Sequence, residues 1–234
     1  MGSSEQEPLA QAIGLAAPQI GERVLDLSGR AGTIALHIAT TAASVEAVQP
    51  DADLAAEGRR LAVAMGRGNV YFHAGPLHSL PFDRGQFDLV LCCLTLAQEL
   101  RPVAALTEIQ RVLRPEGRLV LQEVTAFAHS SLDLKIWELE RRRNPRHLLY
   151  YTEEQLYALL GLGGLEATTE EHSSMTQDFD YWAATGRLSV EEAAMLKRVF
   201  FNLPLADQDR LDLALGDGRI SFTYPVTTLL ARVL

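Results

Sequence analysis

Five short apolar runs, at residues 23–27, 44–48, 70–74, 87–92 and 118–122, alternate with segments of helical character across the first half of the chain. The intervening helices are predicted at 32–41, 53–65 and 102–113. Parallel strands need a crossover of a dozen or so residues between them, and a helix supplies it. The alternation therefore predicts an α/β fold with a doubly wound, mostly parallel sheet. The fourth run, Phe-Asp-Leu-Val-Leu-Cys, is apolar enough to be covered on both faces. In such sheets ligands bind beyond the carboxyl ends of the strands. The residues that follow Leu27, Val48, Ala74, Cys92 and Leu121 thus frame the candidate site.

The second half reads differently. Residues 132–143, 152–160, 179–185, 190–202 and 206–215 are expected to be helical, and 165–170, 220–224 and 227–233 to be strands. A helix at 8–17, with Pro8 in its first turn, precedes the first strand, and the polar residues 1–7 are expected to fray. No repeat or low-complexity linker separates the halves. Residues 1–123 are read as an α/β core with a short N-terminal helix. Residues 124–234 are read as an elaboration that adds the last strands to the same sheet and roofs an acceptor pocket.

Composition narrows the function classes. A formal net charge of -9 disfavours a nucleic-acid binder, and the basic run Arg141-Arg142-Arg143 reads as a solvated helix end. Cys92 and Cys93 are adjacent, so on a strand they point to opposite faces and do not pair. Neither they nor the histidines have metal-ligand spacing. This suits a reducing cytoplasm. No signal peptide and no run of membrane-spanning length is read. The expected partner is a small molecule, with no nucleic acid and no membrane.

The first strand ends on Asp26, and the loop Leu27-Ser28-Gly29-Arg30-Ala31-Gly32 leads into a helix at Thr33. A small-residue loop between a strand and a helix is where nucleotide-like ligands are cradled.

Two longer stretches resemble the class I S-adenosylmethionine-dependent methyltransferases of the UbiE-like group. They are Leu-Pro-Phe-Asp-Arg-Gly-Gln-Phe-Asp-Leu-Val at 80–90 and Glu-Ile-Gln-Arg-Val-Leu-Arg-Pro-Glu-Gly-Arg-Leu-Val-Leu at 108–121. Asn144-Pro145-Arg146-His147, Asp178-Phe179-Asp180-Tyr181-Trp182 and Ser221-Phe222-Thr223-Tyr224-Pro225 extend the likeness to a small-molecule subgroup. The resemblance implies S-adenosylmethionine as cofactor and a Rossmann-like sheet.

It also implies where the cofactor would be held, and there this chain departs from the family. The family loop is Asp-x-Gly-x-Gly-x-Gly. Here Asp26 and Gly32 remain, with Gly29 between, while Ser28 and Arg30 replace two glycines. Glycine suits such a loop because the backbone bends tightly and approaches the ligand. Gln49, followed by Pro50, stands where the family has an acid for the ribose hydroxyls; an amide bonds them more weakly. Pro76 replaces an aspartate that would accept from the adenine amino group, which leaves the N–H of Leu77 to meet the ring. Cys93 closes the fourth strand, and Ala97-Gln98 stand where the subgroup has a histidine pair. Asp51 reads as a helix cap.

Two residues are candidates for proton transfer. His147 has a pKa suited to neutral pH, and Glu123 ends the fifth strand at the mouth of the site. Each has a plainer reading, His147 as a hydrogen-bonded loop residue and Glu123 as the cap of a turn. Trp137, Tyr181 and Trp182 either line an aromatic pocket or belong to the core. Two functions follow: methyl transfer to a small molecule, or a degenerate chain that no longer takes the cofactor and binds another ligand. In one form of the second, an inward Arg30 makes an anion site. With one helix ahead of Arg23, the cofactor pocket is expected to be more open than in the family.

Overall fold

The strand and helix alternation is realised in a computed structural model, which describes residues 6–186, 188–216 and 218–234. Residues 1–5, part of the stretch expected to fray, lie outside the described residues. The strands are β1 (Arg23–Asp26), β2 (Ser44–Gln49), β3 (Val70–Ala74), β4 (Phe87–Cys93), β5 (Leu113–Val124), β6 (Leu165–Asp178), β7 (Ala214–Gly216) and β8 (Arg219–Val233). Among the described residues they form one eight-stranded sheet in the order β3-β2-β1-β4-β5-β8-β6, with β7 also paired to β8. The first five strands run parallel, and β8 lies antiparallel between β5 and β6.

Period-2 alternation sends side chains to two apolar layers. Leu25, Val90 and Leu121 face α4 (Pro102–Val112) and α6 (Glu153–Leu162) with Leu106, Ile109, Leu156 and Leu160. Val24, Leu89, Leu91 and Val120 face the opposite layer with Ile34 and Ile38 of α2 (Thr33–Ile38), Ala55 of α3 (Ala52–Ala64) and Ala12 and Ala16 of α1 (Gln6–Ala16). A third cluster lies beyond β8. There Phe179 and Trp182 of α7 (Phe179–Thr185), Phe200 of α8 (Val190–Phe201) and Phe222 pack with Leu132 and Ile136 of α5 (Ser130–Arg143). Ring centroids of Phe200 and Phe222 are 4.7 Å apart.

Helix starts follow their capping residues. Asp51 Oδ1 accepts from Leu54 N at 2.9 Å, so Asp51 caps α3. Thr152 with Gln155, and Ser189 with Glu192, form capping boxes at α6 and α8.

Three expectations are corrected. The strand expected at 165–170 continues to Asp178, because after a bulge at Thr168 the run Thr169–Asp178 pairs residue by residue with β8. The strands expected at 220–224 and 227–233 are one. Pro225 has no N–H to give, but its carbonyl accepts from Thr125 N at 3.0 Å and the ladder runs through it. The helix expected at 206–215 is shorter, α9 (Leu205–Arg210), and its tail turns into β7.

Candidate active site

Beyond the carboxyl ends of β1, β2, β4 and β5 the sheet opens into a cleft of about 1380 Å³. Its floor is the loop after β1. Asp26 is fully buried there, and Oδ1 accepts from Ser28 N at 2.9 Å while Oδ2 accepts from Ala35 N at 3.0 Å. Burial raises its pKa, against the pull of those N–H groups. Both oxygens are thus engaged in tying the loop to the first turn of α2, and Asp26 shapes the cradle from beneath it.

The loop has an unusual backbone. Gly29, Arg30, Ala31 and Gly32 have φ of 67°, 55°, 53° and 72°. Four consecutive residues in the left-handed half of the map favour glycine, and Arg30 and Ala31 adopt it at a cost of about 1–2 kcal/mol each. Ser28, in place of a glycine, gives the loop an anchor: its Oγ accepts from Cys93 N at 3.1 Å. Ser28, Gly29 and Arg30 line the cleft. Arg30 is exposed and also lines the cleft.

The other cofactor candidates are placed as follows. Pro50, Pro76 and Leu77 line the cleft, and Asp51 joins them. Gln49 is fully buried between the cleft residues Val48 and Pro50, and neither Oε1 nor Nε2 has a hydrogen-bond partner among the described residues. Such an amide normally finds a partner. Cys93 is buried, and its contribution is the N–H it gives to Ser28. The cleft therefore offers an adenosine-type ligand the Ser28–Arg30 loop, while Gln49 lies behind the lining residues Val48 and Pro50 and is not itself one of them. It does not offer an adenine carboxylate, since Pro76 stands there.

Glu123 is fixed at the cleft wall. Its Oε1 accepts from Thr95 N at 2.9 Å and Leu96 N at 2.6 Å, holding the turn that follows β4. Burial pushes its pKa to about 8, opposed by the N–H groups of Leu96, Thr95 and Ala97. His147, also in the wall, is 7% exposed, packs 4.4 Å from the Tyr150 ring, and has a buried Nε2 without a partner among the described residues.

The outer part of the cleft is built by the second half of the chain. Tyr150, Met175, Tyr181, Trp182 and Tyr224 line it. The Tyr150 and Tyr224 rings pack with centroids 6.0 Å apart. Glu140 is buried and accepts from Trp182 Nε1 at 3.0 Å and Arg143 Nε at 3.1 Å, while the Arg143 guanidinium stacks over the Trp182 ring at 5.2 Å. Arg141 and Arg142 are exposed, but Arg143 turns into the cleft, which corrects its reading as part of a solvated helix end. The Glu140 to Arg143 spacing of one helical turn carried that signal. Trp137 belongs elsewhere, with Nε1 donating to Leu148 O at 2.6 Å. His73 and His78 pair with Glu46 and Glu99. α1 packs on β5, β6 and β8, and among the described residues none of its side chains lines the cleft.

Several known proteins are similar to this chain in sequence or fold. Residues 25–121 match the methyltransferase domain family. A demethylmenaquinone methyltransferase of Beutenbergia cavernae is 39% identical over 103 residues, 44% of this chain and 41% of that protein. A ubiquinone/menaquinone biosynthesis C-methyltransferase UbiE of Rubrivivax gelatinosus is 32% identical over 116 residues, 50% of this chain and 45% of its own. The matched segment thus spans less than half the length of either relative. The Bacillus subtilis protein YcgJ, an uncharacterized methyltransferase, is 26% identical over 183 residues, 78% of this chain and 72% of its own. The YcgJ crystal structure superposes with a TM-score of 0.89 at 22% identity, over 97% of this chain and 98% of that one. That likeness speaks for the fold. Nothing in these comparisons supports a chain that has lost its cofactor.

Proposed function

We propose that this chain, a class I methyltransferase of the UbiE-like kind by its domain at residues 25–121, transfers the methyl group of S-adenosylmethionine to a small molecule held in the outer cleft. The observation that carries this reading is the buried, partnerless amide of Gln49 at the end of β2, between two cleft residues. Burying an amide without a partner costs about 1–3 kcal/mol, a cost that hydrogen bonds to a ligand's hydroxyls offset.

S-adenosylmethionine, when bound, supplies a methyl group already activated on a positively charged sulfur. The residues of this chain supply position. The Ser28–Gly32 loop is pinned by Asp26 and by Cys93, so it is preorganised for a ligand. The Leu77 side of the cleft faces the base. Tyr150, Trp182 and Tyr224 bound the acceptor space. Methyl transfer needs proximity and alignment above all, and these are what a rigid cleft gives.

Isothermal titration with S-adenosylmethionine and S-adenosylhomocysteine tests the reading. Saturable binding of both, with mutual competition, is expected. No heat and no competition at millimolar ligand contradicts it.

A further inference from the structure

We propose that Glu153, Glu170 and His172 form a site for a divalent transition-metal ion of the zinc class, and that the ion staples the start of α6 to the edge strand β6. None of the three lines the cleft, so the inference does not rest on the methyl-transfer reading.

The site is assembled from two elements. Glu153 opens α6, directly after the Thr152 cap. Glu170 and His172 are two apart on β6 and so project from one face of the sheet. His172 pairs with Thr227 of β8, and Thr227 with Glu123 of β5, which sets the site two strands outward from the cleft wall. The histidines show no metal-ligand spacing along the chain because the third ligand comes from a separate helix.

One ligand atom from each of the three residues lies within 4.8 Å of the others. His172 Nδ1 is 3.2 Å from Glu153 Oε1, and Nε2 is 3.7 Å from Glu170 Oε1. Ligand atoms around a tetrahedral zinc ion, bonded at about 2.1 Å, stand about 3.4 Å apart. All three side chains reach solvent, so rotation of the side chains closes the remaining difference without backbone movement.

Each carboxylate is aimed by an outer partner. Tyr157 Oη donates to Glu170 Oε2 at 2.8 Å, which leaves Oε1 for the ion. Thr227, itself buried, donates its hydroxyl to Glu153 Oε1 at 3.1 Å, and a carboxylate has lone pairs to spare for a metal. Partners of this kind orient the ligands of metal sites. Charge argues the same way. Among the described residues, neither carboxylate is paired with a lysine or an arginine. A protonated His172 would cancel one of the two negative charges at most, whereas a divalent ion cancels both. An imidazole nitrogen with two carboxylate oxygens suits a zinc-class ion, while calcium and magnesium prefer shells of oxygen alone.

Calorimetric titration of the EDTA-treated full chain with zinc chloride tests this. A single ion is expected to bind with a Kd on the order of micromolar, and magnesium at least about tenfold more weakly. His172→Ala, Glu170→Gln and Tyr157→Phe are each expected to weaken zinc binding about tenfold or more. Glu171→Gln removes a neighbouring carboxylate on the other face of β6 and should leave binding unchanged. With zinc at about 100 times Kd, the wild-type thermal midpoint should rise by about 5 °C or more, and that of His172→Ala should not. No saturable binding up to about 100 µM zinc, or an affinity unchanged in His172→Ala, overturns the proposal. An equal loss in Glu171→Gln also overturns it, since that marks a diffuse attraction to negative charge. Magnesium binding as tight as zinc overturns the zinc-class assignment.

Discussion

Ser28 Oγ accepts the backbone N–H of Cys93 at 3.1 Å, so the serine that stands where the family has a glycine fastens the loop after β1 to the end of β4. Both residues are buried, and Ser28 N is itself bonded to Asp26. Ser28→Ala leaves a buried N–H without an acceptor. The expected loss is about 1–3 kcal/mol of unfolding free energy, read as a lower urea midpoint at unchanged slope. A midpoint equal to wild type contradicts this role.

Gly32 meets a second constraint. Its φ is 72°, and a Cβ built there lies 2.3 Å from Cε1 of Phe72 on β3. A Cβ built on Gly58 of α3 would lie 2.2 Å from the same ring atom, so Phe72 packs between two glycines. Gly32→Ala is expected to destabilise the chain by about 2–4 kcal/mol, from backbone strain and overpacking together. Adding Phe72→Leu removes the overpacking part and leaves the strain. The double variant should therefore be more stable than the sum of the single changes predicts, by a coupling of about 1 kcal/mol or more. Strict additivity contradicts the contact.

Glu123 should shape the pH dependence of stability. Its folded pKa is about 8, against an ordinary 4.5. Between these values the native chain holds a proton that the unfolded chain releases. Stability from this group is fully present below 4.5 and is lost as pH rises through 8. Glu123→Gln keeps an acceptor for Thr95 and Leu96 but does not titrate. Thermal unfolding followed from pH 5 to pH 9 should show wild type losing more stability than the variant. Parallel curves would mean that Glu123 is ionised throughout.

The alternation of apolar runs made the parallel core legible, because β1 and β4 are buried on both faces and α2, α3 and α4 supply three of the four crossovers. The second half was less so. Beyond the strand expected at 165–170, β6 carries Glu171, His172, Ser173 and Ser174, a polar run without strand character, and its partner β8 is what makes it a strand. Pro225 split β8 into two readings for the same reason. In the site, the substitutions at Ser28, Gln49 and Pro76 could be seen by alignment, but their consequences could not. That Ser28 bonds Cys93, or that Trp182 donates to Glu140, depends on residues 65 and 42 positions apart. His147 carried a local signal in Asn-Pro-Arg-His, whereas its burial depends on Tyr150 and α5.

The account stands most directly on Gln49. Its amide is buried and partnerless, which a chain selected only for stability would replace by an apolar side chain. Gln49→Leu removes that amide at nearly constant volume. Denaturant unfolding of the ligand-free chain, paired with calorimetric titration of S-adenosylhomocysteine, reads both sides of the claim. The account predicts a variant more stable than wild type by about 1 kcal/mol that binds S-adenosylhomocysteine at least about tenfold more weakly. Unchanged affinity would contradict it.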